Sequence, residues 1–440
     1  MYLLYSILLT AAFVLMLPLF LLRGQKYASG FRQRLGNYPE FDQDGRRIIW
    51  LHCVSVGEAN AARPLAEALV KEFPDRRLIV STTTKTGQEL SKLIFAEIAD
   101  SVFYFPFDWK FSVRRALVHF KPSLVLLMET EIWPRFIREA KLSGAKVAIV
   151  NGRLSERSRR RYALVRGFIH RVLADIDTAL MQGAGDANRL ISIGLAAAKA
   201  KVTGNMKFDI ADDDRDAAIA DELNSRFHLD DDRPVIVAAS THEPEERWVL
   251  DAFCSILDGE ATMKPRLIIA PRHPERFDAV AKLLRDFRED DACEFKRYRW
   301  VRRSGEPGET DAAADVVLLD SIGELRAAYR LSEIAFVGGS LVPHGGQSIL
   351  EPAAAGNAIL TGPHTFNFSE VVTVFSANSA LIQLPELPSE KIPDELFMRI
   401  SDLLDDREVR AELDRNARSV MEANRGATVR TMDEIRSLIH

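Results

Sequence analysis

Two acids at the end of an apolar run stand out first, in Leu126-Leu127-Met128-Glu129-Thr130-Glu131-Ile132-Trp133-Pro134. Residues two apart in a strand share a face, so Glu129 and Glu131 sit side by side if the strand persists past Met128. Paired carboxylates raise one another's pKa and suit proton transfer or the holding of an acceptor. The plain alternative is capping of the helix that Pro134 begins. A third acid, Glu58, ends Trp50-Leu51-His52-Cys53-Val54-Ser55-Val56-Gly57-Glu58, which reads as strand, glycine turn and helix start. A carboxylate placed there can take a proton from a hydroxyl as general base. It can equally do no more than complement the helix dipole. Lys207, in Gly204-Asn205-Met206-Lys207-Phe208-Asp209, closes the first half of the chain and alone reads as a surface lysine.

The second half offers groups for an anion. Pro271-Arg272-His273-Pro274-Glu275-Arg276-Phe277 follows an apolar run, which places Arg272 to meet a phosphate. Ser321-Ile322-Gly323-Glu324-Leu325 opens a helix, whose N-terminal amides attract anions. Gly338-Gly339-Ser340-Leu341-Val342-Pro343-His344-Gly345-Gly346-Gln347-Ser348-Ile349-Leu350-Glu351-Pro352 is a glycine-rich loop running into a helix, with Glu351 available to a ribose diol. It is neither GxGxxG nor a Walker loop, which disfavours NAD and ATP chemistry. From Asn151 to Tyr162 runs a basic stretch, Arg153, Arg157, Arg159, Arg160 and Arg161. Guanidinium forks suit phosphate, although charge runs are commonly solvated helix faces. Arg153, Arg157 and Ser340 are the candidates for further donor or acceptor contacts. No metal is expected, because Asp212–Asp214 and Asp230–Asp232 fall in a polar stretch and His242 has no second histidine at helical spacing.

These groups need elements to place them. Apolar runs rich in Val, Ile and Leu recur at Ile48–Ser55, Leu78–Thr83, Val102–Pro106, Leu124–Met128, Val147–Asn151 and Thr178–Met181. Helix-sized segments such as Ala59–Glu72, Gly87–Glu97 and Arg135–Leu142 lie between them. This is a βα alternation with a parallel sheet covered on both faces. A second alternation runs through Val235–Ala239, Leu267–Ala270, Val316–Leu319, Ile334–Val337, Ala358–Thr361 and Leu381–Leu384. The expected division is therefore residues 24–208, a helix-containing linker 209–232, a second α/β domain 233–401, and a helical segment 402–440 packing back on the first domain. Two such domains imply a cleft lined by strand C-terminal edges.

With 440 residues, 47% hydrophobic and 28% charged, the chain is a folded protein of more than one core. A net charge of -5 argues against a nucleic-acid partner. Cys53, Cys254 and Cys293 are scattered and read as thiols of a reducing compartment. The N-terminus differs from the rest: no residue from Tyr2 to Leu22 is charged, and Arg23, Lys26, Arg32 and Arg34 come directly after. About 20 apolar residues span a bilayer. The basic flank then puts the bulk of the chain on the cytoplasmic side. Residues 1–23 are accordingly expected to be a single-pass transmembrane anchor.

Taken in order, these segments resemble the Kdo (3-deoxy-D-manno-oct-2-ulosonic acid) transferase family of lipopolysaccharide synthesis. The carriers include Arg34-Leu35-Gly36, Ser55 to Glu58, Thr82-Thr83-Thr84 with Thr86-Gly87, Met128 to Pro134, Asn151 to Arg157, Gly204 to Asp209, Pro271 to Phe277, Gly338 to Pro352 and Thr361 to Phe368. The resemblance reaches from the N-terminus to about residue 370. It implies a GT-B fold of two Rossmann-like lobes, with acceptor on the first and CMP-Kdo on the second. It implies Glu58 as proton acceptor, with Glu131 and Lys207 stabilising the transition state. Pro271, Arg272, Gly323, Glu324, Leu325, Ser348, Ile349, Leu350 and Glu351 are implied as CMP contacts, in a reaction without cofactor or metal. The implied partners are CMP-Kdo, a lipid A precursor (lipid IVA) and bacterial inner-membrane lipid. Gln347-Ser348 stands where the family often has His-Asn, and Met206 where Leu is common. The competing readings are another GT-B nucleotide-sugar enzyme, such as a UDP-sugar transferase or 2-epimerase, and a membrane-tethered two-lobed solute-binding protein.

Overall fold

The computed structural model describes residues 1–22, 29–210, 214–259, 264–289 and 298–439, with the side chains of 17–22 and 288–289 left aside. Arg23, Lys26, Asp212, Asp213 and Cys293 therefore lie outside the described residues. The chain divides into two compact units, residues 1–209 with 424–440, and residues 210–423.

The first unit is built on a seven-stranded parallel sheet ordered β3-β2-β1-β4-β5-β6-β7. Its strands are β1 (Arg47–His52), β2 (Arg76–Thr82), β3 (Ser101–Tyr104), β4 (Pro122–Met128), β5 (Lys146–Gly152), β6 (Thr178–Met181) and β7 (Ala200–Val202). Alternate residues supply opposite cores: Ile48, Trp50, Val125, Leu127, Val147 and Ile149 on one face, Ile49, Leu51, Leu124, Leu126, Ala148 and Val150 on the other. Each such side chain buried contributes ~1.5–3 kcal/mol, which explains why the runs lack polar alternation. Trp50 is wholly buried and donates its indole N–H to Ser81 Oγ at 2.7 Å. The helix Ala427–Ile439 covers the second face with Met432, Ile435 and Ile439 against the helix Val56–Glu72. Asp209 secures that return by accepting from Gly426 N (2.7 Å) and Thr428 N (2.6 Å).

The second unit carries another seven-stranded parallel sheet, ordered β10-β11-β9-β8-β12-β13-β14. Its strands are β8 (Val235–Thr241), β9 (Arg266–Pro271), β10 (Trp300–Arg302), β11 (Val316–Leu318), β12 (Ile334–Val337), β13 (Ala358–Thr361) and β14 (Ile382–Gln383). The stretch read as a linker contains the helix Asp214–Phe227, whose Ala220, Leu223 and Phe227 are buried in this unit's core. The helix Arg407–Asn424 belongs almost wholly to this unit as well, so the return to the first unit begins at Asn424 rather than residue 402.

The N-terminal helix forms as expected, Tyr2–Leu22. Among the described residues, however, no helix is long and apolar enough to cross a membrane. The spanning anchor thus finds no support. The helix lies along the first unit instead: Tyr5 Oη donates to Asp108 Oδ2 (2.8 Å), Trp109 Nε1 to Thr10 Oγ1 (3.1 Å) and Arg135 Nε to Ser6 Oγ (3.0 Å). Phe13 packs on Trp109 at 4.9 Å and Tyr2 on Phe168 at 5.3 Å.

Candidate active site

In each sheet the chain leaves a central strand toward one edge and later returns to build toward the other. The crevice at that reversal, outside the strand C-termini, is where open α/β sheets bind ligands. In the first unit the reversal lies between β1 and β4, and the three acids singled out from sequence come directly after those two strands.

Glu58 is placed by a capping box. Ser55 caps the helix Val56–Glu72 by accepting from Glu58 N (3.4 Å), while Glu58 Oε1 accepts from Ser55 Oγ (3.0 Å) and Oε2 from Val54 N (2.9 Å). Glu58 is thus a helix cap and a buried acid at once. It is 7% exposed. Burial, and after it the Glu129 and Glu131 carboxylates, push its carboxyl up to about 7, against the pull of Val54 N–H and Ser55. Burial, then Glu129, likewise pushes Glu131 up to about 7.

Glu129 does not continue the strand. β4 ends at Met128, and Glu129 takes φ 51°, a left-handed conformation costly for a residue with a side chain. The expected strand alternation of Glu129 and Glu131 therefore stops one residue short. Lys207, in a short 3-10 turn after β7, donates from Nζ to Glu129 Oε1 at 3.0 Å. The lysine's partner is thus Glu129, where the resemblance implies Glu131 beside it. Asn151, also at φ 51°, locates this turn by accepting from Met206 N through Oδ1 (3.0 Å). Arg153 N donates to Thr130 Oγ1 (2.9 Å), tying the exits of β5 and β4. Along the basic stretch, Glu156 pairs with Arg159 (2.6 Å) and Arg160 (3.2 Å), which absorbs part of its charge, while Arg157 is exposed.

In the second unit the reversal lies at β8, between β9 and β12. The glycine-rich loop after β12 is anchored there by Glu245, a residue that sequence reasoning did not select. Its carboxylate accepts from His242 N (2.9 Å), Gly339 N (2.7 Å), Ser340 N (3.0 Å) and Leu341 N (2.9 Å). Gly338 makes room for it, since a Cβ there would stand 2.8 Å from Glu245 Oε2. Ser340 is a correction. It is fully buried, its hydroxyl donating to Val337 O (2.5 Å) and accepting from Gly362 N (2.8 Å), so it ties β12 to β13 and has no side chain left for substrate.

The expected nucleotide contacts divide by exposure. Arg272 and Gly323 are exposed, and Ser348 is half-buried with Oγ accepting from Leu350 N at 3.4 Å. Pro271, Ile349 and Leu350 are buried, which leaves their backbone as the usable part. Glu324 is held by Arg303 (2.9 Å) and Ser321 Oγ (2.5 Å). Burial pushes the Glu351 carboxyl up, against the pull of Arg326 and Arg272 and with the push of Asp216.

Two α/β units, each a parallel sheet with one strand reversal, define a GT-B-like fold, with carboxylates after one reversal and a glycine-rich loop at the other. Solved structures agree on the fold: a UDP-GlcNAc 2-epimerase from Neisseria meningitidis, 14% identical, superposes with a TM-score of 0.57 over 89% of this chain and all of that one. Residues 29–210 match the family described as 3-deoxy-D-manno-octulosonic-acid transferase (kdotransferase). The 3-deoxy-D-manno-octulosonic acid transferase of Haemophilus influenzae is 34% identical over 93% of this chain and 92% of its own length. That of Bordetella pertussis is 33% identical over 88% and 86%. The C-terminal CMP-Kdo binding domain of WaaA from Acinetobacter baumannii is 31% identical, covers 48% of this chain and 99% of that one, and has a TM-score of 0.40. The chain belongs to the Kdo transferase family and is a glycosyltransferase of lipopolysaccharide synthesis.

Proposed function

We propose that this transferase moves Kdo from CMP-Kdo to a sugar hydroxyl of the lipid A precursor lipid IVA, releasing CMP. One observation carries the mechanism: Glu58 stands at the strand reversal of the first unit with its carboxyl pushed up to about 7. A base with that affinity for protons is half ionised near neutrality and accepts a proton efficiently there. Glu58 takes the hydroxyl proton, the oxygen attacks the anomeric carbon of Kdo, and the bond to the CMP phosphate breaks with its electron pair leaving on CMP. Lys207, oriented by Glu129, and the nearby Glu131 serve the charge that develops. On the second unit, Arg272, the backbone of Gly323 to Leu325 and the segment Ser348 to Glu351 take the nucleotide. Arg153 and Arg157 are assigned to the phosphates of the acceptor.

Membrane attachment is part of the same proposal, in the plane of the interface and from the cytoplasmic side. The helix Tyr2–Leu22, laid on the first unit, leaves Leu3, Leu4, Ile7, Leu8 and Leu15 exposed, and Phe111, stacked on Trp109, adds to that apolar surface. Such a face enters the headgroup boundary without crossing it.

The test is incubation with CMP-Kdo and a tetraacylated lipid A precursor, with mass measurement of the lipid afterwards. The wild type adds Kdo. Glu58→Gln adds it at least about a hundredfold more slowly yet still binds CMP, and a rate close to wild type removes Glu58 from the role.

A further inference from the structure

Three histidines meet at the strand reversal of the second unit. β9, β8 and β12 are neighbours in the sheet, and His273, His242 and His344 come after them in turn. The His344 ring stacks on His242 with centroids 4.5 Å apart and planes at 24°, and His273 stands edge-on to His242 at 5.3 Å and 89°. His242 is buried beneath the other two, with Nδ1 lacking a protein partner, and His273 and His344 are exposed. The His242 ring also lies against Gly339, where a Cβ would stand 3.2 Å away.

Among the described residues the buried carboxylates beside these rings are engaged elsewhere, and Glu246 draws the His242 imidazole up only against larger opposing effects. Glu245 is engaged by four backbone N–H groups, and Glu246 accepts from Thr241 (2.9 Å) and Arg276 (2.5 Å). Glu243 and Glu275 are exposed, Glu275 being 4.0 Å from His273 Nδ1. Burial first, and the His344 and His273 rings next, hold the His242 imidazole down to about 4. Among the described residues no group of three His, Cys, Asp or Glu is arranged to hold a metal ion. Ring N–H groups from neighbouring strand ends, beside a glycine-rich loop and with the buried carboxylates next to them engaged, suit an oxyanion, which accepts their hydrogen bonds.

We propose that His242, His273 and His344 seat an oxyanion of the sugar donor, either the nucleotide phosphate or the carboxylate of the transferred sugar acid. The assignment rests on the donor reading above. His273 and His344 reach the anion, and His242 holds their rings in place.

The test uses the full-length protein, with His273→Gln and His344→Gln singly and together. Both side chains are exposed, and an unfolding curve verifies the fold. Affinity is measured for cytidine and for CMP, and KM for CMP-Kdo. In the double variant, CMP binding weakens relative to cytidine, or the KM for CMP-Kdo rises, by roughly tenfold. A change in the CMP-to-cytidine ratio assigns the phosphate; a change confined to CMP-Kdo assigns the carboxylate. Unchanged values in both overturn the proposal. Preference of the wild type for uridine over cytidine nucleotides refutes the donor reading instead, and the ratio of UMP to uridine then decides the histidines by the same criterion.

Discussion

Glu58 and Glu245 hold corresponding places in the two units. Each comes after the strand at its sheet's reversal, β1 or β8, each lies in the first turn of the next helix, and each is buried. Their surroundings differ. Glu245 accepts from four backbone N–H groups, whereas Glu58 accepts from Val54 N and Ser55 Oγ and faces Glu129 and Glu131. Burial raises both carboxyls, but amide donors oppose it fourfold at Glu245, while neighbouring carboxylates reinforce it at Glu58. One acid is taken up in fastening a loop, and the other, with two donors and like charges beside it, is left able to exchange a proton near neutrality. Residue type and position relative to the sheet are the same; the count of donors against like charges decides the chemistry.

The contrast can be broken most sharply at Glu58. Glu58→Gln is expected to lower turnover by about 10²–10⁴-fold, the span of a lost general base, with CMP affinity unchanged in calorimetry. At Glu245 the loss is one of structure. Glu245→Ala leaves four amides buried without an acceptor and is expected to destabilise the second unit by about 3–5 kcal/mol, read as a lower denaturant midpoint. A stability profile separates the two acids further. Glu58 has a folded pKa of about 7 against an ordinary value of 4.5, so its ionisation costs the folded state nothing below 4.5 and progressively more up to 7. Glu58→Gln should therefore gain stability relative to wild type as pH rises through that window, by up to ~3 kcal/mol. An equal gain at pH 4.5 contradicts the sign. The smallest effect is expected at the lysine. Glu129→Gln weakens the hold on Lys207 and should reduce kcat about tenfold without altering the KM for the donor, measured by initial rates.

The sequence made the sheets legible because their strands are fully covered and read as apolar runs. The strands missed were Ala200–Val202 and Trp300–Arg302, three-residue edge strands with Lys201 and Arg302 in them, where one side of the pairing is absent and no apolar run is required. Gly338 marks the exit of β12 as expected, whereas Gly57 lies within the helix Val56–Glu72 and makes no separate turn. Which side chains meet there was harder to read. The strand alternation puts Glu129 and Glu131 on one face, but it ends with the turn at φ 51°, and only the family resemblance singles out Glu131. Ser340 looked like a contact because it lies in a glycine loop, yet its hydroxyl is engaged by neighbouring strand ends. Glu245 carried a signal in Ser240-Thr241-His242-Glu243-Pro244-Glu245, an acid soon after a strand, as at Glu58. The histidine cluster carried none, since its members come after three strands that only the sheet order brings together. Lack of charge marks the N-terminal helix in the sequence, but says nothing of Tyr5, Ser6 and Thr10, whose polar groups bond it to the first unit.

A pH profile of kcat/KM tests the poised carboxylate most directly, taken on wild type and on Glu129→Gln at saturating donor. The rate should climb through an ionisation near pH 7 in the wild type, and the midpoint should fall once a neighbouring charge is gone. A profile already flat from pH 5 upward, or a midpoint indifferent to the neighbour, would mean that some other group takes the proton.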